Sequence, residues 1–138
     1  MIKPAAKVGD RVVGVDTHIE LIASPAGPVP TPLPHAFDGT IGSGSPTVLL
    51  DDQAAARRGD SVMAAAPHLP QAGSFMKPPH NTGEITQCSA ANVWVDDLPI
   101  AIDGDVVTTC NDPADAPTSH VLIGGPGANV FVGGGDPE

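Results

Sequence analysis

The stretch Ser45-Pro46-Thr47-Val48-Leu49-Leu50-Asp51-Asp52-Gln53-Ala54-Ala55-Ala56-Arg57-Arg58-Gly59-Asp60 sets two short apolar runs on either side of an Asp-Asp pair. Asx residues tolerate the dihedral angles of a tight hairpin turn, so the stretch predicts strand, turn, strand. Gly59 permits a positive φ where the second strand ends, and the Asp60 side chain can bond nearby backbone N–H groups.

Working outward, the same pattern returns 45 residues later. There it runs Ala90-Ala91-Asn92-Val93-Trp94-Val95-Asp96-Asp97, then Pro99-Ile100-Ala101-Ile102-Asp103-Gly104-Asp105. The chain opens on the second half of the unit, Pro4-Ala5-Ala6-Lys7-Val8-Gly9-Asp10. It closes on the first half, Gly127-Ala128-Asn129-Val130-Phe131-Val132-Gly133. The halves add up to a third unit split between the termini, the signature of a repeat architecture. The expectation is a mostly β fold: a small, cone-shaped domain of three β-hairpins related by an approximate threefold axis. Its long Pro/Gly-rich loops would gather at the end opposite a flat triangular base. Leu49, Trp94 and Phe131 hold equivalent positions in the three units and are candidates for packing between hairpins or for a docking face.

Composition supports this reading. Gly and Pro number 16 each in 138 residues, three Phe and one Trp are the only aromatics besides histidine, and 41% of residues are hydrophobic. Short Val/Ile/Leu clusters bounded by turn residues read as many short strands in one domain spanning 1–138. A core of Val, Ala and Ile is thin, and small domains with thin cores need a staple. Cys88 and Cys110 allow one disulfide at most, whereas five histidines point to a metal. The N-terminus has no cationic-then-apolar signal pattern and no apolar run reaches membrane-spanning length. The expectation is synthesis in a reducing cytoplasm, where a thiol serves as a ligand more readily than as half of a disulfide. A net charge of −10 with only six Lys and Arg argues against a nucleic-acid partner, and the acidity reads as solubility.

Each Gly-Asp is followed by a loop that carries a metal-ligating residue. His18 lies eight residues after Asp10, His68 eight after Asp60 and Cys110 five after Asp105. The repeat therefore puts two imidazoles and a thiol in comparable positions around one axis. A fourth donor completes the tetrahedral shell of a structural zinc. His35, His80 and His120, on the returning arms, compete for that place. His35 sits between prolines and Phe37, His80 follows Pro78-Pro79, and His120 is the weakest of the three. Cys88, at the start of a strand, reads as a small buried hydrophobe.

The unit resembles the PAAR (proline-alanine-alanine-arginine) repeat, visible as Pro4-Ala5-Ala6-Lys7-Val8-Gly9-Asp10 and as Ala55-Ala56-Arg57-Arg58-Gly59-Asp60. The loops around His18, His35, His68 and Cys110 look like a long-loop subgroup of that family, and the third unit departs from it by carrying Ile100-Ala101-Ile102-Asp103. What the resemblance implies is a structural tip, not an enzyme. Such a tip caps and sharpens the trimeric β-helical spike of a contractile injection apparatus, one tip per trimer. The spike is the valine-glycine-repeat protein of type VI secretion or its phage-tail-like equivalent. The resemblance also implies one structural Zn2+ held near the apex by His18, His35, His68 and Cys110, with His35 chosen over His80. It further implies effectors carried as cargo, no stable homo-oligomer, transient contact with a target membrane, and expulsion from the cell that made it. Two alternatives compete. A zinc-dependent hydrolase of envelope polymers would need an open metal position and a general base such as Glu20, Asp16 or Asp38. A free-standing zinc-binding adaptor would need no spike.

Overall fold

The two Asp-Asp pairs form the turns their sequence favours: Asp51 and Asp52 have φ of 50° and 68°, Asp96 and Asp97 of 51° and 66°. In the computed structural model the described residues are 2–90, 92–112, 116–121 and 129–133. Among them the chain is mostly β with no helix. Ala91, Gly127 and Ala128, which the repeat reading includes, lie outside the described residues. The strands are β1 (Ile2–Pro4), β2 (Arg11–Ile22), β3 (Val29–Ile41), β4 (Leu49–Leu50), β5 (Gln53–Ala54), β6 (Ser61–Ala64) and β7 (Ser74–Phe75). They continue as β8 (Thr82–Gln87), β9 (Trp94–Val95), β10 (Leu98–Pro99), β11 (Val106–Thr109), β12 (Ala116–Val121) and β13 (Phe131–Gly133).

Three short antiparallel ladders match the three units residue for residue. Leu49 pairs with Ala54, Trp94 with Pro99, and Phe131 with Pro4 across the chain ends. The segments that follow are joined head to tail. The N–H of Ala6 donates to the carbonyl of Ala101, that of Ala101 to Ala56, and that of Ala56 to Ala6, at 2.9, 2.9 and 3.0 Å. A second set repeats the pattern: Val8 to Ala54, Arg58 to Pro99 and Asp103 to Pro4, at 2.9, 3.0 and 3.0 Å. Each segment thus satisfies its backbone on the next one around a closed ring, which leaves no free edge at the centre.

Alanine is what such a ring allows. Ala6, Ala56 and Ala101 are fully buried, where a larger side chain would push three backbones apart. Above them lie Val12, Val62 and Val107, one from each unit, packed with Ile41, Ile85 and Phe37. On the other side a second cluster joins Ala5, Ala55 and Ile100 to Leu50, Val95 and Val132. The three Gly-Asp pairs end the segments alike. Gly9, Gly59 and Gly104 have φ of 93°, 93° and 88°. Asp10, Asp60 and Asp105 accept from the backbone N–H of Lys7, Arg57 and Ile102 at 3.0, 2.7 and 2.7 Å. These carboxylates are turn caps, as their sequence position suggests.

From the ring rise three longer antiparallel pairs, β2–β3, β6–β8 and β11–β12. They pair with one another, and β12 also pairs with β2, so the sheet closes on itself. Along one edge of β2, β12 takes Val12 and Val13 while β7 takes Glu20 and Leu21. Between them Asn111 and Asp112 accept from the N–H groups of Thr17 and Ile19, and Asp112 N–H returns a bond to Thr17. That contact seats Cys110 against the middle of β2.

The ring makes two substitutions informative. A Cβ at Gly59 meets no atom within 4 Å. Gly59→Ala therefore costs backbone strain alone, about 1–2 kcal/mol. Ala101→Val overfills the ring and costs about 1–3 kcal/mol. Urea unfolding checks both: each midpoint falls with little change in slope. An unchanged midpoint for Ala101→Val would contradict the packed ring.

Candidate metal centre

Strand β2 alternates, and its inward face changes chemistry along its length. Val12, Asp16, His18 and Glu20 are all buried, so the apolar floor gives way within two turns of the pleat to two carboxylates and an imidazole. On β3 the buried residues are His35, Phe37, Gly39 and Ile41. Register sets Asp16 opposite His35, with Phe37 one rung below. Buried charge is expensive unless paired or bound to a metal, so this chamber has to be explained by its partners.

The loops bring the remaining residues. His68, in the loop after β6, is fixed by its backbone N–H bonding Asn81 Oδ1 at 2.8 Å. Cys110 directly follows β11 and is buried. One donor atom each from Asp16, His18, His68 and Cys110 lies within 4.8 Å of all the others, and the group is able to bind a metal ion. Phe37 closes the chamber from below, 6.1 Å from the His68 ring. Phe75 covers it from the other side, 5.8 Å from His18 and 5.4 Å from His35.

Asp16 is the hub. His68 Nε2 lies 2.9 Å from Oδ2, the Cys110 thiol donates to the same oxygen at 3.4 Å, and the Thr109 hydroxyl donates to Oδ1. His18 is the opposite case. Both of its ring nitrogens are buried with no hydrogen-bond partner, and the nearest carboxylate, on Asp112, is 3.6 Å from Nδ1. Buried unsatisfied polar atoms cost about 1–3 kcal/mol each, so the unpartnered ring suits the role of a metal ligand. Burial, reinforced by the neighbouring His68, lowers the His18 pKa against the pull of Asp112 and Asp16, and favours the neutral ring that a metal requires. Burial, with Asp16 beside it, pushes the Cys110 thiol up to about 12. Its proton leaves only when something stronger than solvent replaces it.

Of the residues singled out in the sequence, His18, His68 and Cys110 come together here. His35 stands beside them, its ring 5.4 Å from His18 and 5.6 Å from His68, but its nitrogens face Leu33 O at 3.0 Å and Glu20 Oε2 at 2.8 Å. His80 is exposed and bonds Thr82 at 2.7 Å. The backbone of His120 pairs with Val106 and Val13 in β12. Cys88 is half-buried against the apolar core, and burial lifts its pKa to about 12. Asp16 and Glu20, named from the sequence as possible general bases, were expected on the loop after Asp10. They are strand residues, and the period-two spacing Asp16-Thr17-His18-Ile19-Glu20 was the signal that all three point one way.

Glu20 holds the loop that carries His68. Its carboxylate accepts from the N–H groups of Gln71, Ala72 and Gly73 and from His35. Burial alone raises its pKa, but these bonds outweigh it and bring the value to about 2. Asp38, the third carboxylate considered, lies at the surface in a paired bond with Arg11. Compared with known protein families and with curated proteins, this sequence matches none.

Because the folded-state pKa of Glu20 is depressed, its contribution is complete above its ordinary value of 4.5 and fades as pH falls towards about 2. The protection factors of the amides of residues 71–73, taken relative to intrinsic exchange at each pH, should therefore fall selectively over that window. Glu20→Ala should lower them at neutral pH. Unchanged protection in Glu20→Ala would remove the carboxylate from this role.

Proposed function

We propose that this chain is a non-enzymatic structural tip of the PAAR type, which caps a trimeric β-helical spike and is pinned by one structural zinc. The observation that carries the reading is a set of three corresponding exposed side chains. Leu49, Trp94 and Phe131 are 63%, 58% and 55% exposed, each on the first strand of its own short ladder. Segments bonded head to tail in a ring put corresponding residues at one level, so the three present apolar surface on one face. Large apolar side chains left in water at related positions mark an interaction site. A partner with three equal contact points suits that spacing, and the short ladders offer backbone for strand addition.

The metal reading rests on the chamber. Two imidazoles, a thiol and a further donor are the ligand chemistry of a closed zinc site, and a full shell serves structure instead of turnover. Zinc would tie β2, the His68 loop and the end of β11 together above a small core. Binding free energy of this kind becomes folding free energy, on the order of 10 kcal/mol in zinc peptides. The carboxylates a hydrolytic reaction would draw on are engaged: Glu20 by three backbone donors and His35, Asp16 by Thr109 and His68, Asp38 by Arg11.

The test is mixing the purified chain with a trimeric spike protein of a contractile injection apparatus and reading mass by native mass spectrometry. One chain per spike trimer is expected, lost in the triple variant Leu49→Ser, Trp94→Ser, Phe131→Ser while its β circular dichroism is kept. Binding that survives the triple variant, or no binding by wild type, would sink the docking face. Chelator treatment should separately lower the thermal midpoint of the wild-type chain.

A further inference from the structure

We infer that Asp16, and not His35, supplies the fourth donor of the metal centre. The inference rests on the metal-binding reading above and concerns which of two neighbouring side chains completes the shell. The PAAR resemblance assigns that place to His35, but the geometry favours Asp16.

Both nitrogens of His35 are already committed. Nδ1 faces the carbonyl of Leu33 at 3.0 Å and Nε2 faces Glu20 at 2.8 Å. Turning either nitrogen to an ion would break a buried bond to the carboxylate that also holds residues 71–73. The ring would also have to turn among His18, His68 and Phe75, whose centroids lie 5.4, 5.6 and 5.4 Å away. Close packing on three sides resists that rotation.

Asp16 gives up less: Oδ2 would exchange its His68 contact for the ion while Oδ1 keeps Thr109, with no turn of the side chain. Its Oδ2 is 2.9 Å from His68 Nε2 and 3.4 Å from Cys110 Sγ. Donors on one tetrahedral zinc, with bonds of about 2.0–2.3 Å, stand roughly 3.2–3.7 Å from one another, so small outward shifts make room for the ion. The Thr109 hydroxyl binds Oδ1 and so aims Oδ2 at His68 and Cys110. His18 supplies the remaining nitrogen without breaking any hydrogen bond.

Charge points the same way. Asp16 and the Cys110 thiolate together carry two negative charges, which neutralise a divalent cation by direct contact in a site closed to water. On binding, the Cys110 S–H proton leaves to solvent, the sulfur and Asp16 Oδ2 bond the ion, and the His68 proton passes through solvent from Nε2 to Nδ1. One proton is released for each ion bound. His35 stays in its dyad with Glu20 and positions the His68 loop from outside the shell.

The probe is zinc on the full chain, read by long-range 1H–15N NMR of the histidine rings, which shows directly which nitrogens are metal-bound. Coordinated nitrogens are expected on His18 and His68, with His35 unchanged. Competition against a zinc chelator gives a second reading. Asp16→Asn should weaken binding more than 100-fold, and His35→Gln should keep one zinc per chain with a loss of 10–100-fold at most, the range of residues that only orient ligands. A coordinated nitrogen on His35, or full affinity in Asp16→Asn, would overturn the assignment while leaving the metal centre intact. A wild-type chain that binds no zinc at all would overturn both.

Discussion

The N–H of Ala6 reaches the carbonyl of Ala101, Ala101 reaches Ala56, and Ala56 reaches Ala6. Three distant stretches of chain become one element through these bonds, because each is an edge strand that only the next can satisfy. Alanine is dictated by the closeness of approach, and valine at residues 12, 62 and 107 fills the wider space one layer above. The split third unit follows from the same closure. Its two halves meet as Ile2–Pro4 and Phe131–Gly133 and are joined by pairing.

A ring this narrow leaves little apolar volume, and the interior above it becomes polar. Within β2 the inward face passes from Val12 to Asp16, His18 and Glu20. Phe37 forms the boundary between the two regions, with its ring against His68. Burying these groups is tolerable because each carboxylate is met by donors: Asp16 by Thr109, His68 and Cys110, Glu20 by three amides and His35. Among the described residues only the His18 nitrogens are buried with no hydrogen-bond partner. Fold and site are linked at this point, since His18 sits on the longest strand pair among the described residues.

Much of the fold was legible. The Asp-Asp turns, the glycines of positive φ and the Asp caps are local devices, and their dihedral requirements are met by residues within a few positions. The grouping of His18, His68 and Cys110 was also legible, because each follows a Gly-Asp at a similar spacing, although His18 proves to lie on strand β2 and not on a loop. The place of Asp16 was harder to read. A carboxylate next to a candidate ligand is common on a loop, and only its alternation with His18 on an extended strand turns it inward. Glu20 was harder still, since its partners are amides about fifty residues away and amides carry no sequence signature.

Local chemistry in the sequence therefore determined the β class, the hairpin units, their recurrence and the residue types able to hold a metal. Tertiary structure decided which of them meet. His35 and His80 are nearly equivalent as sequence, each on a returning arm after proline. The β2–β3 register buries His35 against Glu20, and the arm before β8 leaves His80 exposed beside Thr82. That choice depends on strand pairing and loop anchoring over tens of residues, which no local dihedral preference encodes.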